Sequence, residues 1–308
     1  MAAPTSPTSP GDRLRGLLDA AAADSSVVHA PGVYDAVTAL LAARAGFTAM
    51  HLSGAIVSAT RLGVPDLGYV TGADIADIAA VVTRAAPDAC LVADADTGYG
   101  NALHVQRTVE AYARAGAAAL HLEDQVFPKR CGHMAGKAVV PLAEAAGKVR
   151  AAVEAAAGSG LIVIARTDAL SVDGLAAAVE RVKAYADAGA DLVFVEGAAD
   201  EATLEAVYAA YPDSPGFVLN RSEADPRMRA IPDAALASYG VRLVIHPVGA
   251  MLAALRATRA VYAAIAAEGS GLSVERATWD DLTGLLGQPE LLEAEQRFAA
   301  DDDYGVDA

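Results

Sequence analysis

Residues 161–197 read LIVIARTDALSVDGLAAAVERVKAYADAGADLVFVEG, and the fold is decided in this stretch. Leu161–Ala165 is a short apolar run with no polar alternation, the mark of a strand buried on both faces. An alanine-rich helical stretch, Leu175–Ala188, follows, and Leu192–Val195 is a second buried run. Together they form one β-α-β unit. Similar runs recur at Val27–Ala30, Ala49–Ser53, Cys90–Ala93, Ala118–Leu122, Gly216–Leu219 and Leu243–Ile245. Between them lie helical candidates at Ala36–Ala45, Asp74–Ala85, Val105–Ala115, Leu142–Ala156 and Met251–Ala267. Several end in a basic or small residue before glycine, as at Arg114–Ala115–Gly116, a normal helix stop. Eight units of this kind predict an α/β fold, a (β/α)₈ barrel, rather than an open doubly wound sheet. No glycine-rich dinucleotide fingerprint follows the first strand.

The barrel is assigned to residues 13–268. Residues 1–12, rich in Pro, Ser and Thr, read as a disordered tail. Residues 269–308 form a helical appendage with runs at Trp279–Leu286 and Leu291–Ala299 and the acidic end DDDYGVDA. The chain has 308 residues, 54% of them hydrophobic, and a formal net charge of −16. An acidic chain without a basic stripe is not built for nucleic acid. No run approaches the roughly 18 uninterrupted apolar residues of a membrane span, and the N-terminus does not read as a secretory signal. With two cysteines there is no disulfide framework, so a reducing cytoplasm is the expected compartment.

Barrel enzymes place their reacting groups just past the C-terminal ends of the strands. Here those positions hold Ser53–Gly54–Ala55, Asp66, Asp94, Asp96, His121, Glu123, Arg166, Glu196, Asn220, Glu223 and His246. Asp94 and Asp96 lie two apart on one strand, so both face one side. With Asp66 and Glu123 they make a carboxylate cluster that needs a cation or shared protons. An oxygen-only donor set favours Mg²⁺, with Mn²⁺ as the alternative, over Zn²⁺. Arg166, at the end of a buried strand, requires an anionic partner, and a substrate carboxylate is a natural one. His29 and His51 read as hydrogen-bonded residues inside the barrel; for His121, two before Glu123, a site role and a core role are equally open.

A long loop, Gln125–Pro141 (QVFPKRCGHMAGKAVVP), follows the fourth strand. Such loops in compact domains are usually functional. Cys131 stands beside Lys129, Arg130 and His133, and positive neighbours lower a thiol's pKa. That makes it a candidate proton donor, base or nucleophile, on a loop whose glycines allow closure. Cys90, inside an apolar strand, reads as core. The run Gly132–Lys137 lacks P-loop spacing.

The combination DADTGYG, LHLEDQ, KRCGH, ARTDAL and FVEG resembles the isocitrate lyase/phosphoenolpyruvate mutase superfamily, nearest its short members around 2-methylisocitrate lyase. The likeness runs from about Tyr34 to Ala267. It implies a (β/α)₈ barrel, a homotetramer with a helix exchanged between paired subunits, and Mg²⁺. It implies that Asp94 binds the metal directly, with Asp66, Asp96 and Glu123 linked through water. The catalytic set it implies is Cys131 with Lys129, Arg130 and His133. The substrate-binding set is Tyr34, Ser53, Gly54, Ala55, Asp94, His121, Gly132, Arg166, Glu196, Asn220 and Glu223. The implied reaction is retro-aldol cleavage of a 2-hydroxy di- or tricarboxylate into a 2-oxo acid and a carboxylate, with Cys131 protonating the carbanion. Alternatives are cleavage of oxaloacetate or 2,3-dimethylmalate, phosphorus–carbon bond formation of the carboxyphosphonoenolpyruvate mutase kind, and a non-catalytic dicarboxylate-binding barrel.

The departures from the family pattern cluster on one side. After Asn220 and Glu223 comes Ala224–Asp225–Pro226–Arg227, without the glycine and threonine that help hold a distal carboxylate. Arg221 and Arg227 are unexpected. Gly249 replaces a hydroxyl residue, and Met134 follows the cysteine motif. These positions face the second half of the substrate.

Overall fold

All eight apolar runs become parallel strands in the computed structural model, which describes residues 8–132, 134, 136–225 and 231–298. They are β1 (Val28–Pro31), β2 (Ala49–Leu52), β3 (Cys90–Asp94), β4 (Ala119–Glu123), β5 (Ile162–Thr167), β6 (Leu192–Val195), β7 (Phe217–Asn220) and β8 (Val241–His246). Hydrogen bonding runs β1-β8-β7-β6-β5-β4-β3-β2, each pair parallel. The two remaining edges meet just past β1, where Gly32 bridges to His51 and Val33 N–H donates to the His51 carbonyl at 2.9 Å. The result is a (β/α)₈ barrel.

The helices are α1 (Pro10–Ala23), α2 (Ala36–Arg44), α3 (Gly54–Val57), α4 (Gly72–Ala85), α5 (Ala102–Arg114), α6 (Leu142–Ala156) and α7 (Ala169–Val172). They continue with α8 (Leu175–Asp187), α9 (Glu201–Ala210), α10 (Asp233–Ser238), α11 (Gly249–Glu268), α12 (Trp279–Leu285) and α13 (Gln288–Phe298). Side chains alternate between two cores along each strand. Val92, Ile162, Ile164, Phe194 and Leu243 fill the interior of the barrel. Leu91, Leu120, Leu122 and Val163 face the helices outside. Both faces are therefore apolar, which is why the strand sequences do not alternate.

One helix departs from the sequence expectation. Pro10, Gly11 and Asp12, assigned above to a disordered tail, form the first turn of α1, capped by the Ser9 hydroxyl accepting from Asp12 N–H. Leu14 and Leu18 of α1 join the interior core beside Val28, Cys90 and Ile162, the opening residues of their strands. Thus α1 covers the end of the barrel opposite the polar strand ends. Residues 1–7 lie outside the described part. Cys90 is buried there, as expected, and burial pushes its thiol upward.

The chain divides into two compact units, Met1–Ala253 and Ala254–Ala308, with the boundary inside α11. Among the described residues α11 is long and apolar enough to cross a membrane by length and composition, although Arg256 and Arg259 interrupt it. Little of it is buried, and Tyr262, Ile265, Trp279 and Leu291 of the second unit are exposed.

Candidate active site

The polar strand ends converge on a chamber of about 100 Å³. Its wall includes eleven of the residues expected from sequence: Ser53, Ala55, Asp66, Asp94, His121, Lys129, Cys131, Gly132, Arg166, Glu196 and Asn220. Asp94, the last residue of β3, is fixed by two backbone donors. Gly54 N–H reaches Oδ2 and Asp96 N–H reaches Oδ1, each at 3.0 Å. A Cβ on Gly54 would lie 2.9 Å from that Oδ2, so the approach needs glycine. Burial would raise the Asp94 carboxyl, yet His121, Lys129 and Arg166 together hold it well below the usual carboxylate range. Asp96, with φ of 43°, is pushed up to about 7 by burial and by the charge of Asp94.

The expected carboxylate cluster is present but is neutralised by tethered cations. Lys129 Nζ sits between Asp66 and Asp96, 2.8 Å from the latter, with its side chain only 4% exposed. Its pKa is raised because these acids, with Glu123 and Asp94, outweigh the burial that opposes its charge. Arg166 makes a fork to Asp168 at 2.9 and 3.2 Å and also pairs with Glu123 at 3.2 Å and Glu196 at 3.8 Å. Among the described residues no three His, Cys, Asp or Glu side chains stand as a ready-made ligand group. The resemblance implied one direct ligand, Asp94, with the other acids acting through water, and such a site does not need a preformed group of three. The donor set still fits Mg²⁺, which keeps several waters and needs few protein ligands. Asp94 is held rigid, and Glu123 Oε1 is buried with no hydrogen-bond partner. Burial drives the Glu123 pKa well up, as expected of a carboxylate lacking a full countercharge.

His121 enters the site paired with a residue not assigned there from sequence. His51 Nε2 lies 3.0 Å from His121 Nε2, and His121 Nδ1 is 3.5 Å from Asp94 Oδ1. One Nε2 must donate and the other accept, so the bond requires a neutral acceptor ring. Burial, then the neighbouring His121, pushes His51 down to about 3. A folded pKa below the unfolded value of about 6.5 means that stability is complete above that pH and lost below it, by up to about 1.4 kcal/mol per pH unit. The His51→Gln variant is accordingly expected to lose melting temperature less steeply than wild type between pH 6.5 and 4. Parallel slopes for the two proteins would refute the buried neutral pair.

The loop after β4 is a short stem with a tip. Gln125 pairs antiparallel with Val139, and Val140 N–H donates to the Asp124 carbonyl at 2.8 Å. The Gln125 side chain grips the Arg130 backbone through both N–H and C=O, each at 2.9 Å. Cys131 is thereby presented to the chamber. Gly132 rests on the barrel so closely that a Cβ would lie 2.8 Å from Glu196 Cδ and 2.9 Å from Arg166 Nη2. Arg130 is exposed rather than turned into the chamber, and His133 lies outside the described residues.

Besides Gly54, which is bonded to Asp94, two substrate candidates stand apart from the chamber wall. Tyr34, on the rim after β1, binds Thr38 through its backbone. Glu223 is exposed and accepts from Val248 N–H at 3.1 Å, bracing the turn into α11. A Cβ at Gly249 would come 2.5 Å from Glu223 Oε1, so a larger residue there would displace the Glu223 side chain. Besides His51, three residues were missed from sequence. Asp124 accepts from Thr167, Asp168 N–H, Arg181 and Tyr185, and Lys137 and Asp168 pair with one another at 2.8 Å. Asp124 and Asp168 stood in the quoted strand-end motifs; only long-range contacts separate their roles from those of Glu123 and Arg166. A second cavity of about 840 Å³ shares Gly132, Glu196, Asn220 and Ala224 with the chamber, and Met134, Leu170, Val172 and Val195 supply apolar lining.

The sequence matches the family model described as phosphoenolpyruvate phosphomutase over residues 18–266. It is 42% identical to a 2-methylisocitrate lyase of Salmonella typhimurium, covering 86% of this chain and 88% of that protein. A 2,3-dimethylmalate lyase of Eubacterium barkeri is 35% identical over 89% of this chain and 94% of its own. A crystal structure of 2,3-dimethylmalate lyase superposes with a TM-score of 0.87, at 36% identity over 97% of this chain and 99% of that one. A phosphonopyruvate hydrolase solved with oxalate and Mg²⁺ superposes at 0.82, with 30% identity over 94% and 99%. With its barrel, its cysteine-bearing loop and these relatives, the chain belongs to the isocitrate lyase/phosphoenolpyruvate mutase superfamily of lyases and mutases.

Proposed function

We propose that this protein is a Mg²⁺-dependent carbon–carbon lyase that splits a 2-hydroxy di- or tricarboxylate into a 2-oxo acid and a second carboxylate. The observation that carries it is Cys131 facing the same small chamber as the fixed Asp94 and the buried Arg166. Arg166, Ser53 and the Ala55 backbone receive the oxo-acid carboxylate, beside Gly54, whose N–H holds Asp94. Bond cleavage turns the 2-hydroxyl into a carbonyl, passes its proton to a carboxylate of the buried acid cluster, from which Cys131 is reprotonated after turnover, and leaves the bonding pair on the departing carbon. Cys131 gives its proton to that carbon. Gly132, packed on Glu196 and Arg166, keeps water from doing so first. Mg²⁺, when bound, supplies charge stabilisation to the oxo-acid oxygens; Asp94 would hold it, with Asp66, Asp96 and Glu123 acting through water.

The aliphatic side chains Met134, Leu170, Val172 and Val195, which share the adjoining cavity with polar groups such as Ser171, Thr203 and Asn220, support a distal half bearing alkyl substituents, as in 2,3-dimethylmalate. Incubation with 2-methylisocitrate, 2,3-dimethylmalate, oxaloacetate and phosphonopyruvate, each with Mg²⁺ and with products followed by NMR, tests this. Oxo-acid release from a hydroxy acid is expected. Turnover of the phosphonate alone, or of nothing, would refute it. The exposed apolar residues of α11 to α13 support a homotetramer built by helix exchange, and a monomer mass by light scattering would exclude that assembly.

A further inference from the structure

We infer that Lys137 is a positioning residue, the latch that sets Cys131 over the chamber by tying the loop to the carboxylate that holds Arg166. The inference rests on the chamber being the reaction site, but its first test does not need turnover. Lys137 Nζ donates to the Gly132 carbonyl at 2.7 Å, one residue beyond the thiol, and to Asp168 Oδ1 at 2.8 Å. The same Asp168 carboxylate receives the Arg166 fork, Nε on Oδ2 and Nη2 on Oδ1. The side chains of Lys137 and Asp168 are 5% and 0% exposed, so this is not a solvent-weakened surface pair.

Asp168 is itself anchored. Its backbone N–H donates to Asp124 Oδ1, and Asp124 also binds Thr167, Arg181 and Tyr185. Burial would raise the Asp168 carboxyl, but Arg166 and Lys137 hold it below its ordinary value, so it remains an anion. The loop tip therefore hangs on a rigid negative charge inside the barrel. Gln125 fixes the other side of Cys131 through Arg130. The thiol lies between two fasteners, and the second is shared with the guanidinium that binds substrate. When a ligand carboxylate engages Arg166, Asp168 is left more fully to Lys137, which tightens the latch as the site fills.

The chain carries its own control, because its two cysteines are Cys131 on the loop and Cys90 in the barrel core. Full-length wild type, Lys137→Met and Lys137→Arg are treated with iodoacetamide, with and without Mg²⁺ and oxalate, and each cysteine is followed by mass spectrometry. Loss of a charge-assisted bond is expected to speed Cys131 alkylation about tenfold or more in Lys137→Met while Cys90 stays unreactive. Lys137→Arg is expected to restore slow labelling, and oxalate to slow it further only where the latch is intact. With a hydroxy acid that wild type turns over, Lys137→Met should lower kcat far more than it changes KM. An unchanged Cys131 rate in Lys137→Met overturns the latch. A parallel rise at Cys90 does so too, since Lys137 would then be holding the barrel rather than the loop.

Discussion

Replacing Cys131 by alanine is expected to lower kcat by about 10²–10⁴-fold, the usual worth of a positioned proton donor, with little change in KM. The thiol sits on a loop tip, only partly buried, and removing its sulfur leaves the barrel core untouched. The Gly132, Gln125 and Lys137 contacts that shape the loop involve backbone or other side chains, so closure survives. Carbon–carbon cleavage then still places charge on the leaving carbon, but the protein no longer supplies the proton, and the carbanion returns to substrate. Cys131→Ser should recover little, because a hydroxyl is a far weaker acid. Steady-state kinetics together with oxalate affinity decide the matter: near-wild-type kcat in Cys131→Ala would remove this residue from the chemistry.

The second large effect is expected at Arg166. Its guanidinium is buried among Asp168, Glu123 and Glu196 and lies over the Phe194 ring, 5.3 Å from the centroid. Those acids outweigh the burial that opposes its charge and raise its pKa well above the ordinary value. Arg166→Met leaves three buried acids short of their cation. Breaking a buried ion pair from one side costs roughly 3–5 kcal/mol, readable as a lower urea midpoint. Oxalate affinity should fall sharply in the same variant, because no other described side-chain cation in the chamber is placed to receive a carboxylate: Lys129 is committed to Asp66 and Asp96. Arg166→Lys keeps the charge but loses the two-pronged geometry, so it should recover stability better than affinity. A variant as stable as wild type that binds oxalate equally well would contradict both roles.

The sequence by itself determined the architecture, because strands buried on both faces must be written as unbroken apolar runs, and eight such runs are hard to mistake. It also determined which rim carries the chemistry, since charged residues such as Asp94, Glu123 and Arg166 can interrupt those runs only where the strands end. It could not reveal α1, whose Pro-Gly-Asp opening follows a Pro- and Ser-rich run and whose Leu14 and Leu18 are meaningful only against the open end of a closed barrel. Nor could it assign partners to charges. Lys129 stood beside Cys131 in the motif but is spent on Asp66 and Asp96. Glu223 matched a binding motif but turns to the α11 junction, and Lys137, given no role by its place in the loop sequence, pairs with the buried Asp168. Burial along a strand is a local, periodic property that one chain segment encodes alone. The pairing of a charge depends on which distant segments the barrel brings within about 3 Å, and only the tertiary structure decided that.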